Sequence, residues 1–139
     1  AMSFSSHKSS LRFEHGVPSI KKRVSVLSKL QKRGWKIAIR FEPVIFEDTL
    51  FENYKDLFDQ VFHSLDVKQL HSVSLGEFRM PKTYYKSILK LYPDEELFAR
   101  ETAIDNGVVS LKAQDSSSLQ NIEKLLKTYV SREKYYFCG

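Results

Sequence analysis

Charged and hydroxyl side chains follow three short apolar stretches of the sequence, each typical of a buried strand. In an α/β fold, ligands bind where parallel strands end, so these side chains are expected to lie together around one rim. The rim residues are Ser5, Ser6, Arg40, Glu42, Pro43, Ser74, Gly76, Glu77 and Arg79. This set offers both charges and several hydroxyl groups to a polar ligand. An ion pair between Arg40 and Glu42 or Glu77 explains Arg40 equally well, although such a pair would contribute little to stability.

Basic and aromatic residues alternate just after the third stretch, where Arg79 and Lys82 precede Tyr84 and Tyr85. Aromatic stacking combined with cationic contacts is how proteins hold unpaired bases. At helical spacing, one of two adjacent tyrosines belongs to the core, and we expect this one to be Tyr85. Tyr84 remains a candidate for ligand contact.

The histidines and the cysteine do not show the spacing that a metal site or a nucleophilic catalytic site requires. The four histidines are His7, His15, His63 and His71. Their spacing is not that of metal ligands. A general-base role for His71, with Glu42 as its partner, would give a hydrolytic enzyme, but a hydrogen-bonded, half-buried imidazole is the simpler interpretation. Cys138 is the only cysteine, which excludes a disulfide framework and a cysteine-built zinc or iron–sulfur site within this chain.

The composition is that of one globular domain. The chain has 139 residues, of which 42% are hydrophobic and 13% aromatic, whereas disordered chains have few aromatic residues. No apolar run approaches the roughly 18 residues of a membrane span. No charged-then-apolar leader precedes the first stretch. We therefore expect a cytoplasmic protein that makes no membrane contact.

Charge is segregated along the chain, whose formal net charge is +5. Residues 1–40 contain ten basic residues and one acidic residue, whereas residues 41–66 contain one basic residue and seven acidic ones. A basic first third suits contact with nucleic-acid phosphates. The alternative is the solvated face of a helix and its exit. The lysines concerned are Lys21, Lys22, Lys29, Lys32 and Lys36.

Hydrophobic periodicity predicts three strand–helix units followed by a different C-terminal part. The expected strands are 2–6, 35–41 and 70–75, and the expected helices are 19–33, 49–65 and 81–92, with a loop at 13–18 and Pro43 ending the regular pairing of the second strand. A hairpin turn at 105–107, a last helix capped near Asp115 or Ser116 and an apolar tail at 135–138 complete the chain. The alternation predicts an α/β fold with a parallel sheet and right-handed crossovers.

Three parallel strands leave two open sheet edges, although parallel strands are usually buried on both faces. One interpretation is a small open sheet with helices on one side and the tail over one edge. The other is half of a barrel whose remaining half lies outside this chain.

An ordered series of short segments resembles a known family. The segments are Phe13–Ser19, Gly34–Ile45 with Arg40-Phe41-Glu42-Pro43 inside it, Asn53–Phe58, His71–Lys82 and Lys90–Glu95. Taken in order, over Ser3 to Cys138, they are similar to the C-terminal half of the spore photoproduct lyase family. Its members are DNA-repair enzymes of the radical S-adenosylmethionine (AdoMet) superfamily.

The resemblance implies a partial (β/α)6 barrel with three βα units at 1–93, followed by a β-hairpin and a C-terminal helix at 94–139. Full-length members bind a 4Fe-4S cluster through a CxxxCxxC loop, cleave AdoMet and use the resulting radical to reverse a thymine lesion. This chain has no such loop. The resemblance therefore implies a fragment, either a natural split product or a truncated piece, that is inactive alone. AdoMet and the cluster are implied for the full-length protein, and neither is expected to be held by this chain alone.

The same resemblance assigns site residues. Ser3, Ser5, Arg40 and Glu42 match segments that line the AdoMet pocket in the family. The hairpin at 100–112 matches the lesion-contacting hairpin. The candidate substrate contacts are Arg79, Lys82, Tyr84 and Arg100. Residues 102–109 lack the arginine and tyrosine that the family has in this hairpin, so the substrate stays open and a sister group with another substrate is one interpretation.

The expected partners depend on what supplies the missing half of the barrel. The resemblance implies either an N-terminal half, from the same gene or a separate chain, or a second copy joined through the open sheet edge, with DNA as a further candidate partner. From the residues alone, the alternative function is a stand-alone α/β module that binds nucleic acid through its basic first third.

Overall fold

A computed structural model describes residues 1–112 and 116–138 of the chain. The strands are β1 (Met2–Ser3), β2 (Ile37–Val44), β3 (Leu70–Glu77), β4 (Arg79–Pro81), β5 (Thr102–Asp105), β6 (Val108–Leu111) and β7 (Tyr135–Phe137). The α-helices are α1 (His7–Phe13), α2 (Ile20–Lys32), α3 (Leu50–His63), α4 (Lys82–Leu91) and α5 (Ser116–Tyr129), and short 3-10 helices span Val67–Gln69, Glu96–Ala99 and Arg132–Lys134.

Two sheets organise the molecule. The larger one is parallel, with the strand order β1-β2-β3-β7, and the smaller one is antiparallel, with the order β4-β6-β5. Helices alternate with the first three parallel strands, and a hairpin and a final helix follow. The predicted α/β class and the partial barrel with three βα units are therefore confirmed. The predicted division at residue 93 stays a prediction.

One face of the parallel sheet carries the hydrophobic core. Ile39 and Phe41 of β2 and Val73 and Leu75 of β3 are fully buried there. Helices α2, α3 and α5 cover this face through apolar side chains such as Val24, Leu27, Leu57, Phe58, Val61, Ile122 and Leu126. The ring of Phe58 meets that of Phe41 edge-on at 4.7 Å, a geometry worth about 0.5–1.5 kcal/mol beyond its buried area. The alternate side chains of β2 and β3 therefore point to the opposite face.

Local signals in the sequence explain the elements that were predicted well. Ser19 caps α2 by accepting a hydrogen bond from the amide of Lys22 at 3.3 Å, and Gly34 has φ +84° just after the helix ends. Asn106 and Gly107 both have positive φ, as the tight turn of the β5–β6 hairpin requires. The apolar tail forms β7 and covers the edge of β3, as predicted. The proposed cap at Asp115 lies outside the described residues.

Some elements differ from the sequence prediction. The first strand, expected at 2–6, ends at Ser3, and Ser6 instead caps helix α1 through the amide of Ser9 at 3.0 Å. No element was predicted for residues 7–12, since a largely polar helix of two turns leaves no periodic signal. The regular pairing of β2 with β3 ends before Pro43, as predicted, because the register shifts between Phe41 and Val44 and no ladder hydrogen bond needs a proline N–H there, although the strand itself extends to Val44. Strand β3 extends past Gly76 to Glu77. Residues 79–81, where no strand was predicted, form the short strand β4, so Pro81 caps α4 instead of lying in its first turn.

Within residues 1–112 and 116–138, no helix combines the length and apolar character that crossing a bilayer requires.

Candidate functional site

The face of the parallel sheet opposite the core is polar. Ser3 pairs with Arg40, Arg40 with Ser74, and Ser74 with Tyr136, so one row of side chains crosses all four strands. Glu42 lies two residues after Arg40 on the same side of β2, because side chains alternate along a strand. We call Ser3, Arg40, Glu42, Ser74 and Tyr136 the polar face.

A hydrogen-bonded chain joins the two charges of the polar face. Arg40 Nη1 donates to Ser74 Oγ at 3.3 Å, and Ser74 Oγ donates to Glu42 Oε1. The Arg40 guanidinium also lies 4.9 Å from the ring centroid of Tyr136. Arg40 forms no ion pair with any carboxylate of the described residues. The direct ion pair offered as an alternative role for Arg40 is therefore absent, and a serine hydroxyl separates the cation from the carboxylate.

Gly76 allows the C-terminal tail to approach this site. A Cβ atom at Gly76 would lie 2.4 Å from the carbonyl oxygen of Cys138 and 3.2 Å from Cγ of Glu42. The Cys138 amide donates to the carbonyl of Leu75 at 2.8 Å, which continues the pairing of β7 with β3. A glycine is therefore required where the tail, β3 and Glu42 meet.

Arg79 lies in the same region as Glu42. A cleft of about 410 Å³ is lined by Glu42, Glu77, Arg79, Met80, Pro81, Val108 and Cys138. Arg79 is exposed on β4, opposite Ser110 of the hairpin. The structure thus brings a predicted substrate contact and a predicted cofactor contact to one cleft.

Four other predicted site residues lie elsewhere. Ser5 is buried, and its hydroxyl donates to Glu14. Arg100 donates to the carbonyl of Phe46 and faces a separate cavity of about 580 Å³. Lys82 and Tyr84 are exposed on α4. Because they are two residues apart on a helix, they project to different sides of it.

The geometry rules out joint acid–base work by His71 and Glu42. Leu70 pairs with Ile37, so His71 lies at the beginning of β3, whereas Glu42 lies five residues beyond Ile37. At about 3.3 Å per residue, this separation is roughly 15 Å along the strands. The imidazole Nδ1 of His71 lies instead 3.1 Å from Ser72 Oγ. The hydrolytic hypothesis is therefore wrong.

A partly buried ion pair positions β1, and it was not predicted from the sequence. Arg23 of α2 pairs with Glu14 at 2.9 Å and donates to the carbonyl of Ser3 at 3.0 Å. Its guanidinium also lies 5.2 Å from the ring centroid of Phe4. Arg23 thus holds the backbone of Ser3, one residue of the polar face, from the helix-covered side of the sheet. An arginine inside a basic helix carries no sequence signal that distinguishes it from its exposed neighbours.

A buried tyrosine, Tyr54, lies near the carboxylates of Glu14 and Glu47. Burial raises the pKa of the Tyr54 hydroxyl, and the negative charges of Glu47 and Glu14 raise it further. Glu47 accepts hydrogen bonds from Ser6 at 2.6 Å and from Asn53 at 3.0 Å, which ties α1 to α3. These groups support the strand ends and do not face the cleft.

Comparison with known proteins identifies the architecture. No protein-family model matches the chain, and no curated protein sequence matches it. Among solved structures, spore photoproduct lyase complexed with dinucleoside spore photoproduct matches with a TM-score of 0.72 and 19% identity, over 97% of this chain and 43% of that one. The fold is shared with spore photoproduct lyase.

Two further structures of that enzyme agree. A mutant matches with a TM-score of 0.75 and 20% identity, over 97% of this chain and 43% of that one. A double mutant with bound AdoMet and dinucleoside spore photoproduct matches with a TM-score of 0.71 and 17% identity, over 97% and 42%. The chain thus spans less than half of the length of the structures it matches, which is consistent with the predicted half barrel. The resemblance stated from the sequence is confirmed at the level of the fold.

Proposed function

We propose that this chain forms the C-terminal half of a radical-AdoMet DNA-repair protein similar to spore photoproduct lyase, with the polar face lining the cofactor pocket. One observation carries the proposal, namely the row of Arg40, Ser74 and Glu42 on the face of the parallel sheet opposite the helix-packed core, where Ser74 is buried beneath partly exposed charged neighbours. In a barrel of this kind the helices form the outer ring and ligands bind towards the C-terminal ends of the strands, and Glu42 and Ser74 lie in the C-terminal halves of β2 and β3. The shared fold and the AdoMet in one matching structure support this orientation.

The donor groups of the polar face suit the amino-acid end of AdoMet. That end carries a carboxylate and an ammonium on one carbon. Arg40 offers a guanidinium that no carboxylate of the described residues neutralises, and Glu42 uses one oxygen for Ser74, so its second oxygen is available for an ammonium. In our proposal Arg40 holds the carboxylate and Glu42 the ammonium. AdoMet, when bound beside a reduced cluster, supplies the radical chemistry that abstracts hydrogen from a lesion.

The chain does not fit the iron–sulfur cluster itself. Such clusters need several thiolates, and the sequence contains one cysteine, Cys138. We therefore place the cluster ligands outside this chain, on an N-terminal half that completes the barrel or, as the alternative, in an assembly joined through the open edge of β1. Anaerobic reconstitution of this chain with iron and sulfide is expected to yield no stoichiometric cluster. A stable cluster on the isolated chain would contradict this part of the proposal.

The chain alone is not expected to hold AdoMet tightly, because the rest of the pocket lies on the missing half, so the polar face is expected to bind the amino-acid end only weakly. Calorimetric titration of the chain at millimolar AdoMet tests this contact. AdoMet and 5′-methylthioadenosine share the nucleoside, and only AdoMet has the amino-acid end. R40Q is expected to weaken AdoMet binding at least tenfold and to leave the binding of methylthioadenosine unchanged, because a charge-assisted bidentate contact is lost. R33Q, at an exposed arginine beyond α2, is the matched control. Equal AdoMet affinity for R40Q and R33Q would exclude the proposed role of Arg40.

A stand-alone nucleic-acid-binding module remains the second candidate. Lys21, Lys29 and Lys32 of α2 are exposed along one groove, and none of them forms an ion pair within the described part of the chain. This candidate requires that nucleic acid binds to α2. A larger loss of DNA binding for K21Q/K29Q/K32Q than for K82Q/K86Q/K90Q would support this candidate.

A further inference from the structure

Helix α4 has an uncompensated row of positive charge. Lys82, Lys86 and Lys90 follow one another at intervals of four residues, so they lie on one side of the helix at spacings of about 6 Å. All three are exposed, and none forms an ion pair with the described residues. The helix itself contains no acidic residue. We call these three residues the lysine row.

Helix α4 is also the least embedded helix of the fold. None of its residues is buried. Tyr85 is half-buried and meets the ring of Phe98 edge-on at 5.5 Å, which confirms its inward orientation and leaves the lysine row facing solvent. The core therefore gives no reason for the run of charge. Because like charges on one helix face are destabilising, a polyanionic partner is the simplest physical explanation for the row.

The lysine row begins at the hairpin. The amide of Lys82 donates to the carbonyl of Gly107 at 2.8 Å, so the first turn of α4 abuts the β5–β6 turn. A linear polyanion that follows α4 would thus pass the hairpin tip, where Asp105 is exposed. The Asp105 carboxylate would repel a polyanion, so such a partner is expected to contact the lysine row and not the hairpin tip.

We propose that the lysine row binds the phosphate backbone of a nucleic-acid strand, in a sequence-independent manner, and guides it past the hairpin tip. The choice of nucleic acid among polyanions rests on the proposed function. The spacing of about 6 Å suits a linear series of charges better than a single anion. Tyr84 projects to another side of the helix and takes no part in this contact.

The test is fluorescence anisotropy of a labelled, mixed-sequence, single-stranded 16-mer DNA at several salt concentrations. The variant K82Q/K86Q/K90Q is compared with K21Q/K29Q/K32Q on α2, which removes the same charge from another exposed helix. Glutamine keeps the helix propensity, and thermal unfolding by circular dichroism checks the fold. The α4 variant is expected to bind at least tenfold more weakly and to reduce the slope of log K against log salt by about 2, since each phosphate contact on a single strand contributes about 0.7. The α2 variant is expected to change affinity less than threefold.

Each other outcome overturns the inference. Equal losses in both variants would indicate non-specific charge, a larger loss in the α2 variant would support the stand-alone module, and no DNA binding by the wild-type chain would exclude the row as a nucleic-acid site. Binding to vesicles of phosphatidylserine and phosphatidylcholine, lost in the α4 variant while DNA does not bind, would assign the row to a lipid surface. The AdoMet titration of R40Q reports on the proposed function separately, because Arg40 and the lysine row lie on different elements.

Discussion

Arg40 and Glu42 share one face of β2 and are joined through the hydroxyl of Ser74, with no direct ion pair between them. The guanidinium therefore keeps hydrogen-bonding capacity for a ligand. A direct pair would have neutralised both charges. This arrangement underlies the proposed recognition of a group that carries both an anion and a cation.

Replacing Ser74 with alanine is expected to destabilise the fold. The substitution removes a hydrogen bond to a charged group at a fully buried site, which costs about 1.5–3 kcal/mol of unfolding free energy. Urea unfolding measures the change. S72A is the control, because Ser72 is also buried on β3 but contacts only the His71 ring among the hydrogen bonds described. A smaller loss for S74A than for S72A would contradict the bridging role.

Replacing Gly76 with alanine is expected to detach the tail from β3. The new Cβ would overlap the carbonyl oxygen of Cys138, and overpacking of this kind typically costs about 1–3 kcal/mol. Hydrogen exchange at the Cys138 amide should accelerate, since its bond to Leu75 depends on the close approach. G16A introduces strain at a positive φ where no neighbour lies within 4 Å, so it should leave that amide unchanged. Equal exchange of the Cys138 amide in G76A and the wild type would show that the tail does not depend on Gly76.

Replacing Arg23 with methionine is expected to lower the stability of the fold. Removal of Arg23 takes the ion-pair partner from the partly exposed carboxylate of Glu14, which keeps the hydrogen bonds of Ser5 and Ser10, and costs about 1–3 kcal/mol. It also frees the carbonyl of Ser3, so β1 should lose protection from hydrogen exchange. K112Q, which breaks an exposed pair with Glu101, should leave stability unchanged in the same urea experiment. A loss below 1 kcal/mol for R23M would contradict the positioning role of Arg23.

Alkaline pH is expected to weaken the contact between α5 and α3. The Tyr129 hydroxyl donates to Asp59, and this hydrogen bond, with some burial, raises the pKa of Tyr129 from 10.0 to about 12. The folded state therefore holds this proton more tightly than the unfolded state does. The stabilisation is complete below pH 10 and is lost as the pH rises from 10 to 12.

Absorbance at 295 nm measures this titration. The difference between the wild type and Y129F should contain one tyrosine that ionises near pH 12, with circular dichroism recorded at each pH to monitor the fold. If the tyrosine that Y129F removes from the titration ionises near pH 10, the assigned hydrogen bond would be contradicted.

The sequence predicted the elements whose signals are local. Ser19 and Gly34 marked the ends of α2, and Asn106-Gly107 marked the hairpin, because caps and turns depend on one or two residues. That Arg40 and Glu42 lie together followed from topology, but the predicted position at the C-terminal rim does not hold for Arg40, which lies in the middle of β2 on the face of the sheet. The role of Ser74 as the bridge did not follow from topology, since it depends on the register between β2 and β3.

Other parts of the site depend on contacts between distant segments. The lysine row was visible as spacing in the sequence, but only the structure shows that the helix is unburied and that its charges are unpaired. The contact between Arg23 and Ser3 joins residues of different elements, and the separation of Arg100 from the cleft depends on how the hairpin packs on the loop at Phe46. Periodicity along the chain carries no information about such pairings.

A ¹⁵N-resolved NMR titration of the chain with millimolar AdoMet detects even weak binding of the amino-acid end to the polar face. The largest amide shifts are expected at Arg40, Glu42 and Ser74, and methylthioadenosine is expected to leave these three signals in place. Shifts confined to α2 or to the cavity beside Arg100, with the polar face unchanged, would contradict the proposed contact.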